Sequence, residues 1–302
     1  MPKVAQAFVP GHITGFFRIH DDAEDPLLRG STGAGFCVEI GTHTTVSIIE
    51  NDTPGIITIF NNEVINARVT QTVVQRMVEK YERQLKVNVV HKSSLASGAG
   101  FGSSGAGALG TALALGHLLD PAMSYAAAAC YAHEAEVVNR TGLGDVIAQT
   151  KGGLEIRVHP GGPGIGEVVR MDDSAPDSVV LAGAPGIYTR DVLTNSESRT
   201  RINKAGDRLI HRMMKRRDLR TFISCSRKFT NSIGLATERV INALHDLDVA
   251  GFSQSSMVML GDSVFCFCDD GESSSVIDIL DGYWDESQVT ATSVSDIGGR
   301  LV

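Results

Sequence analysis

Apolar residues at positions 69, 73, 74, 77, 78, 81 and 85 recur on one helical face, so an amphipathic helix is predicted over Val69–Leu85, followed by a strand over Lys86–Val90. Thr44–Glu50 and Ile56–Phe60 have the β-branched composition of strands, separated by the turn formers Asn51, Asp52, Thr53, Pro54 and Gly55. Upstream, the first forty residues mix Gly, Thr and His loop residues with short apolar runs. Ser103–Leu119 and Pro121–Val138 read as two alanine-rich helices divided at Asp120-Pro121, with the proline opening the second. Gly152–Val158 and Glu167–Arg170 read as strands around the loop Pro160–Gly164.

The polar stretch Asp172–Asp177 is the best candidate for a boundary, giving domains 1–172 and 173–302. Beyond it come a strand at Ser178–Ala182, a basic helix at Asn203–Arg217 and a helical stretch near Ser226–Leu247. Strands around Ser256–Leu260 and Ser263–Asp269 follow, then a last helix and strand, with no internal repeat. Strands and helices mixed without strict βαβ alternation predict an α+β, two-layer α/β protein of two domains.

Composition narrows the function. With 42% hydrophobic and 21% charged residues over 302 positions, the chain has the profile of a soluble globular protein. Its net charge of −8 argues against a general binder of nucleic-acid backbones, which needs an excess of cations. Lys204, Arg208, His211, Arg212, Lys215, Arg216 and Arg217 share their helix with Leu209, Ile210, Met213 and Met214, and a solvated face is the simpler reading of that charge run. Five scattered cysteines without a C-x-x-C pair read as buried thiols in a reducing compartment. The start at Met1–Val4 carries no apolar leader core, and Ala106–Leu119, the most apolar stretch, is too short to cross a bilayer. A cytoplasmic protein without nucleic-acid or membrane partners is the expectation.

The 32 glycines exceed the usual share and gather in Lys92–Ala108, which feeds directly into the first alanine-rich helix. Such a loop presents unpaired N–H groups and the positive end of a helix dipole to an anion, and Ser103 and Ser104 can cap the helix or reach a metal. Gly100–Gly105 matches G-x-G-x-x-G, yet it does not directly follow a strand, and Asp120 ends a helix rather than a second strand, which argues against a dinucleotide site. No Gly-Lys-Ser/Thr closes a P-loop, and no H-R-D or D-F-G string marks a protein kinase.

Ser97, Gly98, Ala99, Gly100, Phe101, Gly102, Ser103, Ser104, Gly105 and Ala106 instead resemble the second motif of the GHMP kinases, roughly P-x-G-x-G-L-G-S-S-A-A. Val9-Pro10-Gly11-His12 is similar to the opening A-P-G-K/R of that family, with His12 in place of the permanent cation. Thr141-Gly142-Leu143-Gly144-Asp145, followed by Gly152-Gly153, looks like its S-G-x-D…G-G element, while the third motif, at Gly251–Met257, is poorly kept. Together these segments most closely resemble the archaeal pantoate kinases.

The resemblance implies a ribosomal-S5-domain-2-like N-terminal domain, a ferredoxin-like C-terminal domain, and transfer of phosphate from ATP, with Mg²⁺, to the terminal hydroxyl of pantoate. It implies that the glycine loop cradles phosphates, that Ser104 with Glu134 or Glu136 holds Mg²⁺, and that Asp145 accepts or orients the hydroxyl proton. A substrate carboxylate calls for a cation, with Arg157 and Arg190 as candidates and His12, His133 and Thr189 as weaker ones. Small-molecule substrate and ATP are the expected partners, and a homodimer is compatible. A homoserine- or mevalonate-type kinase, and a catalytically silent binding protein of the same fold, are the alternatives.

Overall fold

The computed structural model describes residues 2–50, 53–96, 98–186, 189–259 and 262–302. Asn51 and Asp52 of the expected turn, Ser97 of the glycine loop and Leu260 of an expected strand therefore lie outside the described residues. The first forty residues, expected to be loop-rich, belong to two long antiparallel strands, β1 (Lys3–His20) and β2 (Gly30–Glu50). Most of β1 from Ala7 onward is buried on both faces, so its sequence never shows the apolar–polar alternation of a half-solvated strand.

This pair serves two cores. Ala7, Val9, Val46 and Ile48 pack with helices α1 (Arg68–Lys80), α2 (Ser103–Leu119) and α3 (Tyr125–Asn139). Further along the same strands, Ile13, Phe16, Phe36 and Val38 join a second cluster built on the C-terminal half. Between the two stretches the register jumps: Pro10 opposes Gly41 but Gly11 opposes Val38, leaving Glu39 and Ile40 as a bulge. Proline, with no N–H to give the ladder, suits that place, and the freed Glu39 N–H donates to the Ser293 carbonyl at 3.0 Å.

Strands β3 (Gly55–Phe60), β4 (Glu63–Val64) and β5 (Leu85–Ser93) extend the sheet beyond β2, with β3 and β5 parallel. Helix α4 (Asp145–Lys151) leads into β6 (Leu154–His159), which pairs with the outer half of β2 and with β7 (Glu167–Arg170). A second sheet starts at β8 (Ser178–Ala184), followed by helices α5 (Thr189–Thr194), α6 (Ser196–Lys215), α7 (Leu219–Ile233) and α8 (Glu238–Val249). It is completed by β9 (Ser255–Met257), β10 (Asp262–Cys268) and, after helix α9 (Ser273–Leu280), β11 (Val289–Thr292), in the order β11-β8-β10-β9. The last strand, β12 (Arg300–Leu301), returns to the edge of β1. Among the described residues no helix is long and apolar enough to cross a membrane.

Several element ends depart from expectation for local reasons. Helix α1 stops at Lys80, and Glu82 takes a φ of 48°, so Leu85 is free to open β5 rather than close the helix. Pro121 sits in a turn, and α3 begins after Ser124, whose hydroxyl accepts from the Ala127 N–H at 3.2 Å. The single helical stretch expected near 226–247 is two helices, broken by Gly234 at φ 65° and restarted by the Thr237 cap on Val240. Helix α6 buries Ile202, Ala205, Leu209 and Met213 and turns its cations outward, although Met214 is exposed as well.

Phe36 joins the two sheets: its ring lies 5.2 and 4.7 Å from those of Phe265 and Phe267 on β10 and 6.2 Å from that of Phe222 on α7. Phe36→Ala is expected to cost about 3–5 kcal/mol in urea denaturation. A loss below about 1 kcal/mol would show that the ring cluster does not couple the sheets.

Candidate active site

A cavity of about 740 Å³, ample for a small metabolite with part of a nucleotide, opens where the glycine loop, the α3–α4 connection and β6 meet. Gly98, Gly100 and Gly102 hold φ values of 75°, 80° and 69°, a left-handed run that other residues adopt at a cost. They turn the chain into α2, whose first residues, Ser103 and Ser104, line the cavity with Gly98 and Gly100–Gly105. Ala99 and Ala106 are buried behind that wall.

The loop is fixed to β1 at its bulge. The His12 N–H donates to the Phe101 carbonyl at 3.0 Å, and the Gln149 side-chain amide donates to the carbonyls of Pro10 and Gly102, each at 2.9 Å. Gln149, fully buried on α4, was not singled out from the sequence, where nothing distinguishes it from any helical glutamine.

Two residues apart on a helix means about 200° of rotation, and this separates the two glutamates. Glu136 is buried on the inner face of α3, where the hydroxyls of Ser104 and Thr141 (2.9 Å) both donate to its Oε1. Glu134 points away and pairs with Arg76 of α1, outside the cavity. Glu134 is thus corrected as a metal candidate, because an ion pair on the far side of the helix already occupies it.

Glu136 Oε2 is buried with no partner. A Cβ on Gly142 would stand 2.4 Å from that oxygen and 2.9 Å from Asp145 Oδ2, so the glycine keeps the space between the two carboxylates open. Hard oxygen donors, one of them orphaned, suit a hard divalent cation. Among the described residues no group of three or more His, Cys, Asp or Glu is arranged to hold a metal ion, so an ion here would draw its other ligands from outside the protein.

Asp145 opens α4 and retains 26% exposure on the cavity side. Behind it His12 is fully buried, with Nδ1 2.8 Å from Asp145 Oδ1 and Nε2 3.1 Å from Oε1 of the buried Glu155. Arg157 on β6 donates from Nη1 to the same Glu155 oxygen, with that Nη1 also 3.2 Å from His12 Nε2, and reaches Thr14 from Nη2 at 3.5 Å, while its Nε is buried and unpartnered. Burial alone would raise the Asp145 pKa, but the hydrogen bond and charge of His12 and the charge of Arg157 bring it below the ordinary carboxylate value. Burial would likewise lower that of His12, yet its hydrogen bonds to Asp145 and Glu155 and their charges raise it overall.

Of the remaining substrate candidates, His12 stands behind Asp145 and does not line the cavity. His133 is buried elsewhere, with Nε2 2.9 Å from the Arg29 carbonyl and its pKa lowered by burial, so it serves as a neutral donor to the chain. Neither histidine lines the cavity. Thr189 and Arg190 open α5, and their side chains lie outside the described ones, although the neighbouring Asp191 lines the cavity mouth. Ser31 and Thr14 line the cavity beside Arg157 and were missed, since isolated hydroxyls carry no sequence signal. The approach of Ser31 and Arg157 depends on Gly144, where a Cβ would stand 2.2 Å from Ser31 Oγ and 2.8 Å from Arg157 Nε.

The model of the GHMP kinases N-terminal domain matches residues 68–153. The pantoate kinase of Thermococcus kodakarensis is 35% identical over 280 residues, which cover 91% of this chain and 91% of that protein. The pantoate kinase of Methanocaldococcus jannaschii is 34% identical over 263 residues, 86% of this chain and 91% of that one. A solved structure described as a phosphotransferase related to the CoA biosynthesis pathway covers 99% of each chain at 31% identity, with a TM-score of 0.88.

Burial pushes the Glu136 carboxyl up to about 7 from 4.5, with the charge of Asp145 adding to it and the Ser104 and Thr141 hydroxyls opposing it. The folded state thus binds the proton more tightly than the unfolded chain, and its stability falls as pH rises from about 4.5 to about 7. Glu136→Gln removes that cost: its melting temperature should exceed that of the parent protein by about 3–6 °C at pH 8. The gap should close as pH approaches 4.5, and thermal melts across the range check it.

Proposed function

The chain belongs to the GHMP kinases, and from that premise we propose that it uses ATP to phosphorylate the terminal hydroxyl of pantoate, giving 4-phosphopantoate for coenzyme A synthesis. The observation that carries this reading is the Asp145 carboxylate, held from behind by His12 and presented to the cavity opposite the glycine loop. Full-length similarity to proteins named pantoate kinase supports the substrate.

On this reading the N–H groups of the loop at Gly98–Gly105 receive the phosphates, and Ser104 with Glu136 holds Mg²⁺. When bound, that ion neutralises charge on the phosphate oxygens. The hydroxyl oxygen attacks the γ-phosphorus, the bond to the ADP oxygen breaks, and the hydroxyl proton passes to Asp145. With its pKa lowered, Asp145 is a weak base, so it chiefly orients the hydroxyl and takes the proton late, which suits a loose, dissociative transition state. Arg157, which lines the cavity with Ser31 and Thr14 and has an unpartnered Nε, receives the substrate carboxylate.

ADP release by the purified protein should depend on pantoate and not on homoserine or mevalonate; turnover of either of those without pantoate would overturn the substrate. Asp145→Asn should lower kcat by about 10²–10⁴-fold. Arg157→Lys should chiefly raise KM for pantoate, because an ammonium cannot reproduce the guanidinium fork.

A further inference from the structure

We propose that Glu155 is a positioning residue for phosphoryl transfer: it holds the His12 ring as a doubly donating imidazolium and, through that ring, fixes the Asp145 carboxylate against the acceptor hydroxyl. This rests on the reading of Asp145 as the group that meets the hydroxyl.

Four ionisable side chains form one row from the cavity wall into the sheet. Asp145, His12 and Glu155 are joined by contacts of 2.8 and 3.1 Å at opposite ends of the imidazole, and Arg157 closes the row, its Nη1 donating to Glu155 Oε1 and lying 3.2 Å from His12 Nε2. A neutral imidazole carries a proton on one nitrogen only and can donate to one carboxylate. A carboxylate oxygen faces each nitrogen, and Arg157 Nη1 beside Nε2 already donates to Glu155; the protonated ring serves both carboxylates, whereas a neutral ring could only accept from Arg157 at Nε2. The charges agree: Asp145 and Glu155 against Arg157 and an imidazolium balance, whereas a neutral ring would leave one anion uncompensated in a row buried but for the cavity-facing Asp145.

Arg157 faces the ring as a cation, whereas Cys37 and the glycine loop bring no charge. Cys37, the cross-strand partner of His12 on β2, is a buried thiol whose pKa is pushed up by burial and by the neighbouring carboxylates. The glycine loop presents only backbone. Glu155 is therefore the second anion that lets a histidine stand where the family places a permanent cation after Pro-Gly. The sheet makes room for it at Gly35, where a Cβ would stand 2.8 Å from His12 Nε2 and 3.0 Å from Glu155 Oε1.

Since the raised pKa keeps the ring charged, activity should be lost as pH climbs through it, and removing the Glu155 charge should bring that limb down. The test pairs two readouts on the ligand-free and the turning-over enzyme. Ring-nitrogen NMR of histidine-labelled protein should show both His12 nitrogens protonated at pH 7.5 in the parent chain, and one in Glu155→Gln. In steady-state assays with ATP and pantoate, Glu155→Gln should lower kcat at pH 8 by roughly tenfold, shift the alkaline limb about one unit down and change KM for ATP by less than about twofold. A neutral His12 ring in the parent protein, or an alkaline limb unmoved by Glu155→Gln, would overturn the proposal. The parent spectrum decides even where the variant fails to fold, and it is independent of turnover, so a protein that does not phosphorylate pantoate defeats the functional reading without touching this one.

Discussion

Three hydrogen bonds converge where β1 is interrupted: His12 N–H to Phe101, and the Gln149 amide to Pro10 and Gly102. Because Pro10 and Gly11 occupy a register jump, the first half of the strand faces the α1–α3 core and the second half faces the core under the other sheet. The same bonds anchor the left-handed glycine run, so its loop cannot shift without pulling on a strand buried in both cores. Gly11 pays for this closeness in side-chain terms, since a Cβ there would stand 2.6 Å from Leu95 Cδ2. The position of the glycine-loop N–H groups is thereby tied to the packing of the whole molecule.

From that anchor the cavity inherits two carboxylates with opposite environments. Asp145 has a cation behind it and stays ionised, whereas Glu136, enclosed by uncharged hydroxyls and the Gly142 backbone, is pushed to about 7. Groups whose surroundings drive their pKa values apart take different tasks. On the proposed reading, the first meets a hydroxyl and the second a metal ion. On the same reading, the energy that burial removes from Glu136 becomes available when a dication replaces its proton, so the residue is a cost to the empty fold and would be a ligand in the loaded one.

What the sequence disclosed follows from locality. The glycine loop and T-G-L-G-D are contiguous stretches whose backbone shape is their function, so both were legible as strings, and so were helices α1 and α2 from their apolar spacing and small residues. The β1–β2 pair was not, because burial on both faces erases the period on which strand recognition depends. Glu134 and Glu136 stood equal in the string, and the rotation of α3 set one on Arg76 and the other on Ser104. Gln149 and Glu155 were silent for a different reason: their partners lie 139 and 143 positions away, and no motif spans such a distance.

The shape of the imidazolium explains why a histidine can serve here at all. A lysine ammonium gathers its donors at one point, whereas the two N–H groups of the ring point in nearly opposite directions and bridge carboxylates on different elements, α4 and β6. Strand β6 also carries Arg157, bonded to the same Glu155 oxygen that receives His12. On the proposed reading, a substrate carboxylate that draws charge from Arg157 acts on the same row that sets the charge of Asp145. Substrate recognition and hydroxyl orientation are then coupled through Glu155 over three hydrogen bonds, a linkage that a free-standing cation beside Asp145 would not provide.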